Sequence, residues 1–67
     1  MIRLTVNGET MQLYNTDNLK QLLESLHLGQ KRIAVEVNHE IIPKSLHQST
    51  RIREGDQVEI VRAIGGG

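Results

Sequence analysis

Ile2, Leu4 and Val6 alternate with Arg3 and Thr5, and after Asn7-Gly8 the alternation resumes at Met11 and Leu13. A period of two sends successive side chains to opposite faces, so both runs read as strands with one buried face. Asn and Gly tolerate the positive φ of a type I′ turn, which joins the runs as a hairpin. The apolar face of such a hairpin needs a second layer against it. Leu19, Leu22, Leu23 and Leu26 recur at helical spacing and supply that layer as one amphipathic helix, over about 18–28. Thr16 or Asp17 is the expected cap, through a side-chain oxygen that accepts from an unpaired backbone N–H. Gly29 stands where a helix stops, because Gly enters the left-handed region without a Cβ clash.

After Lys31-Arg32, the run Ile33-Ala34-Val35-Glu36-Val37 reads as a strand. Asn38-His39 turns into a short strand at Glu40-Ile41-Ile42, which Pro43 ends by removing a backbone donor. Lys44 to Thr50 is polar apart from Leu46, which is expected to tuck inward from an irregular turn. Glu54-Gly55-Asp56 is a further turn signal. Val58, Ile60 and Val61 belong to a last strand ending near Ala63. If that strand lies parallel beside the first, one sheet of four or five strands covers the Leu-rich helix face and closes a single core. This α+β order is that of a β-grasp, although other one-helix arrangements share it.

Composition narrows the function. The 67 residues leave room for one core near the lower size limit for folding without a metal or disulfide. With no cysteine, disulfides, thiolate metal sites and a Cys nucleophile are excluded. Eight Lys plus Arg balance eight Asp plus Glu, which argues against a nucleic-acid binder working through a basic face. No apolar stretch approaches the roughly 20 residues of a membrane span, and the start Met1-Ile2-Arg3-Leu4 lacks a signal peptide's layout. A cytoplasmic protein with no nucleic-acid or membrane partner is the expectation. Tyr14 is the one aromatic residue, so the core is built from Leu, Ile, Val and Met and suits a scaffold better than an aromatic-lined pocket.

The chain ends Val61-Arg62-Ala63-Ile64-Gly65-Gly66-Gly67. Gly makes up about 7% of average composition, so chance would set three at a terminus in roughly a few chains per ten thousand. A linker or frayed end is one reading of the run. The other has a mechanism: three residues without side chains can enter a channel where a Cβ would clash and reach chemistry away from their own domain. Ordering them costs on the order of 1–2 kcal/mol per residue, which docking of the folded domain must offset. The reactive group on such a tail is the terminal carboxylate of Gly67. An anionic carboxylate is a poor electrophile and needs activation; coupling to AMP from ATP held by a partner makes it an acyl adenylate open to a sulfur nucleophile.

Val35-Glu36-Val37-Asn38-His39-Glu40-Ile41-Ile42-Pro43-Lys44, together with Glu54-Gly55-Asp56-Gln57-Val58-Glu59-Ile60-Val61-Arg62-Ala63-Ile64-Gly65-Gly66-Gly67, closely resembles the sulfur carriers of bacterial thiamin synthesis. These are the thiazole-forming branch of the ubiquitin-like β-grasp family, and the resemblance runs over essentially the whole chain. It implies a domain over 1–64 and a reactive tail over 65–67. It further implies that a ubiquitin-activating-type adenylyltransferase, using ATP and magnesium, adenylates Gly67. Cysteine-derived sulfur, delivered as a persulfide by a cysteine desulfurase or another donor, then makes a thiocarboxylate. Thiazole synthase would take its sulfur from that group, and the chain itself would bind no cofactor. Some family members carry an aromatic near the Leu46-His47 region, and the position of Gly65 is variable, so the roles transfer to Gly66 and Gly67.

The remaining features are weaker. His27, His39 and His47 fall on a helix end, a turn and a loop without metal-ligand spacing, and are expected to be exposed or capping. The glycine run has no following Lys-Ser/Thr and opens no helix, which excludes a phosphate loop. By alternation, Val58 and Ile60 share one face of the last strand and Val61 and Ala63 the other. Val61, Ala63 and Ile64 are either core and edge residues or part of an apolar docking patch, with Arg62 as a solvated charge or a rim contact. No nucleophile, acid–base pair or cofactor loop marks the chain as an enzyme. A thiocarboxylate carrier is favoured over a protein modifier that joins Gly67 to target lysines, and over a carrier serving molybdopterin or another sulfur acceptor.

Overall fold

The computed structural model describes residues 1–29 and 32–62. Five strands and one main helix follow in the order β1 (Ile2–Val6), β2 (Glu9–Leu13), α1 (Leu19–Ser25), β3 (Ile33–Val37), β4 (Glu40–Ile42) and β5 (Gln57–Arg62), with a 3₁₀ turn at Lys44–Leu46 between β4 and β5. The strands form one mixed sheet in the spatial order β2-β1-β5-β3-β4. β1 and β5 run parallel at its centre and all other neighbours are antiparallel. No helix among the described residues is long and apolar enough to cross a membrane.

Both hairpins follow from their turn residues. Asn7 and Gly8 have φ of 51° and 83°, and Asn38 and His39 have φ of 52° and 68°, the paired positive values of a type I′ turn. The turns set the registers Val6↔Glu9 and Val37↔Glu40, and each register carries the strand alternation to one face. Leu4, Val6, Leu13, Val35, Val37 and Val58 are buried on that face, against Leu19, Leu22 and Leu23 of α1 and against Ile52.

The helix is shorter than its leucine spacing predicts, and its cap is neither Thr16 nor Asp17. Asn18 is the N-cap: its side chain accepts from the Gln21 amide at 2.8 Å, and Gln21 Oε1 accepts in return from the Asp17 and Asn18 amides, a capping box. The two other amides ahead of the first helical bond are met from far along the chain. Leu19 N donates to Thr50 O at 2.9 Å and Lys20 N to His47 O at 3.1 Å. Asp17 O meanwhile accepts from the Ile52 amide, and Asn18 bridges to Arg51. These backbone contacts hold 17–18 in extended pairing, and the helix starts only after them.

At the other end His27, with φ of 61°, takes the left-handed place expected of Gly29. His27 N donates to Glu24 O and Leu28 N to Leu23 O, the two bonds of a Schellman ending, which turns Leu28 back toward the core. His27→Gly removes a Cβ from the left-handed region, a gain of roughly 0.5–1 kcal/mol once the greater freedom of unfolded glycine is subtracted. The midpoint of thermal unfolding is expected to rise by about 4 °C.

The segment before β5 reverses two expectations. Leu46 is 48% exposed and does not tuck inward, whereas His47, expected at the surface, is 8% exposed. His47 Nε2 lies 3.0 Å from Ile42 O, and since a carbonyl only accepts, Nε2 carries the proton. The 3₁₀ turn after Pro43 rotates the chain so that the residue after Leu46 faces the sheet, and the histidine is satisfied there by a strand-end carbonyl.

Candidate functional site

The expected tail, Gly65, Gly66 and Gly67, lies outside the described residues, as do Ala63 and Ile64. What the structure places is the strand that leads to it. β5 is held on one side by β3 over its full useful length, from Val37↔Val58 to Ile33↔Arg62. On the other side its ladder with β1 covers only Thr5↔Gln57 and Val6↔Val58. There β1 turns away into its hairpin, and Asn7 takes over: Asn7 N donates to Val58 O at 2.9 Å and Asn7 Oδ1 accepts from Ile60 N at 2.8 Å. The second turn asparagine acts alike at the strand's start, where Asn38 Oδ1 accepts from Gln57 N at 2.9 Å. Both asparagines, read in the sequence only as turn formers, are also fasteners of β5.

Asn7→Ala is therefore expected to lose a backbone partner and the tolerance of positive φ together, a loss of roughly 1–2 kcal/mol in urea unfolding. Asn7→Asp keeps an acceptor oxygen and a tolerated φ and is expected to stay within about 0.5 kcal/mol. Faster hydrogen exchange of the Ile60 amide in the alanine variant alone would locate the effect.

Two surfaces flank the end of β5. On the helix side, α1 is too short to cover the whole sheet, and a cleft of about 470 Å³ opens between Leu26, Leu28, Ile33, Met11 and Ile60, with Arg62 on its wall. Arg62 is exposed, as both readings given to it require. On the open face of the sheet Val61 is 59% exposed. It pairs with the exposed Ala34, and one row away β5, β3 and β4 align Glu59, Glu36 and Ile41, the last 71% exposed. Val61 is thus on an outward apolar face and not in the core. Ile41 and Ala34 extend that face, and neither stood out in the sequence, because Glu40-Ile41-Ile42 is too short for a period to show which isoleucine points out.

The face is poorly suited to water alone. Glu36 and Glu59 oppose each other directly, and like charges at paired positions repel. A partner surface with apolar contacts and a cation would relieve both the exposure and the repulsion. Among the described residues no group of three or more His, Cys, Asp or Glu is placed to hold a metal ion. The described residues offer a strand end with an exposed, partly apolar sheet face beside it.

Known proteins with this architecture agree in extent as well as in kind. The model of the ThiS family matches residues 4–67. The crystal structure of a thiamine biosynthesis protein from Geobacter metallireducens superimposes with a TM-score of 0.84 at 32% identity, covering 98% of this chain and all of that one. The sulfur carrier protein of Bacillus subtilis is 35% identical over 96% of this chain and 98% of its own length. A thiazole synthase of Paramagnetospirillum magneticum is 38% identical over 98% of this chain, which spans only 20% of that protein. With the family match reaching from the first strand to the final glycine and the sheet and helix shared in three dimensions, the chain belongs to the ThiS family.

Proposed function

We propose that this chain is the sulfur carrier of a thiamin pathway and acts as a co-substrate, its C-terminal Gly67 cycling between carboxylate and thiocarboxylate. The observation that carries the reading is the family match through residue 67, and the last strand, described to Arg62, ends beside an exposed sheet face that carries Val61. In the first step a Gly67 carboxylate oxygen attacks the α-phosphorus of ATP on an adenylyltransferase, pyrophosphate leaves, and an acyl adenylate forms. Magnesium on that enzyme offsets the phosphate charge. A persulfide sulfur from a desulfurase relay then attacks the carbonyl carbon and AMP leaves. A partner thiol cleaves the resulting S–S bond, is oxidised to a disulfide, and leaves the thiocarboxylate. That group is anionic at neutral pH with a polarizable, nucleophilic sulfur, which attacks an electrophilic carbon of the substrate on thiazole synthase; an oxygen from water or the substrate then displaces the sulfur from the Gly67 carbonyl carbon and restores the carboxylate. The thiazole synthase that contains a segment similar to this chain supports such a partner.

Glycine at 66 and 67 fits a narrow approach to the adenylating site, and Gly65 is the flexible lead-in. Val61, with Ala34 and Ile41, docks the partners, and Arg62 and the flanking Ala63 and Ile64 complete the contact. Intact mass after incubation with the adenylyltransferase, ATP, cysteine and a desulfurase tests the reading. Replacement of one terminal oxygen by sulfur is the expected product. A covalent conjugate to another protein, or an unchanged mass beside a converted control carrier, would refute it. Val61→Asp is expected to weaken the complex with the adenylyltransferase by about tenfold or more in calorimetric titration, since a charge would be buried on docking. Its own unfolding should move by no more than about 0.5 kcal/mol, as the site is exposed in the free chain.

A further inference from the structure

At the pole opposite Arg62, a cleft of about 460 Å³ is walled by Val37, Asn38, Ser49, Arg51, Arg53 and Asp56. Its arginines are fixed at their backbones. Arg51 bridges to Asn18, Ile52 N donates to Asp17 O, and Arg53 N donates to Asp56 Oδ2 at 2.7 Å. Ile52 between them is buried, so the extended chain turns Arg51 and Arg53 to the same outward side. The other polar atoms of the wall are occupied. Asp56 Oδ1 accepts from Asn38 Nδ2, Asn38 Oδ1 accepts from Gln57 N, and Ser49 Oγ donates to Leu46 O. Among the described residues neither guanidinium donates a side-chain hydrogen bond, and both arginines line the cleft.

We propose that this cleft binds a carboxylate of an acidic segment in a partner protein through the paired guanidiniums of Arg51 and Arg53. Guanidinium forks match carboxylate and phosphate geometry alike. The charge of the wall decides between them: two arginines and the Asp56 carboxylate sum to a single positive charge, which a monoanionic carboxylate balances and a phosphate dianion exceeds. The site is independent of the sulfur chemistry and lies about 17 Å along β5 from Arg62. A partner that holds the tail and this pole together reads the length of the central strand.

The test is an amide chemical-shift titration of the full chain with a capped Gly-Ser-Glu-Ser-Gly peptide, its Gln counterpart and inorganic phosphate. Saturable shifts at Asn38, Ser49 and Arg53 with the Glu peptide are expected, with none from the Gln peptide and weaker binding of phosphate. R51Q/R53Q is expected to weaken the Glu peptide by about tenfold or more, with the spectrum elsewhere unchanged. R51K/R53K, which keeps the charge and the exposed backbone setting but loses the forks, should retain only part of the affinity. Equal binding by R51Q/R53Q, shifts spread evenly to Lys20 and Lys44, or tighter binding of phosphate than of the peptide would each overturn the assignment.

Discussion

Removal of Gly67 is expected to abolish adenylation, a loss of at least about a thousandfold in the rate of pyrophosphate release, while the unfolding transition stays in place. Shortening the tail withdraws the reacting carbon by one residue, roughly 3.3–3.6 Å, and reactions of this kind fall steeply with misplacements of 1 Å. The truncated chain still ends in a carboxylate, so loss of activity would report reach and not charge. Gly67→Ala separates the two requirements, since it keeps the reach and adds a Cβ. A smaller loss with alanine than with deletion is expected, and full activity of the deletion variant would sink the proposed cycle. Both variants should keep wild-type far-ultraviolet circular dichroism, because every described core residue and every hydrophobic packed against it lies before residue 61.

Leu22→Ala is expected to have the largest effect on the fold. Leu22 is fully buried in the middle of α1, beneath the sheet face carrying Leu4, Val35 and Val58. Such truncations lose about 2–5 kcal/mol from transfer and cavity together. A domain of this length holds only roughly 3–10 kcal/mol in all. The midpoint should fall by about 10 °C or more. Leu19, Leu22 and Leu23 of α1 form most of the layer opposite the sheet, so loss of the central one leaves a space that its neighbours fill only in part. Urea unfolding beside Leu46→Ala, which alters an exposed leucine and should be near neutral, checks the contrast.

The two leucines also mark where the sequence was transparent and where it was not. Leu22 was legible because helical spacing and strand alternation each state which face of an element turns inward. The hairpins at Asn7-Gly8 and Asn38-His39 and the helix came from the same two periods and the turn residues, whereas the parallel placement of β5 beside β1 was one of several arrangements that the element order allowed. Leu46 and His47 belong to a stretch without a period, where a 3₁₀ turn after Pro43 decides which side chain enters. Asn18 was missed for a related reason. Thr16, Asp17 and Asn18 can all cap, and the choice among them is made by carbonyls of His47 and Thr50 and by the bridge to Arg51, which local pattern does not contain. On the open face of the sheet, alternation correctly set Val61 against Val58 and Ile60. Ile41 and Ala34 joined it only through the registers Glu36↔Ile41 and Ala34↔Val61, which are properties of pairing between strands.

The fastening of β5 by two turn asparagines has a mechanical meaning. A partner that draws the tail into its interior pulls along the axis of the central strand. Arg62 and Val61, paired with β3 alone, take the load first and have one ladder to resist it. At Ile60 the load meets Asn7, and beyond it the parallel ladder with β1, whose hydrogen bonds lie across the direction of pull and resist in shear.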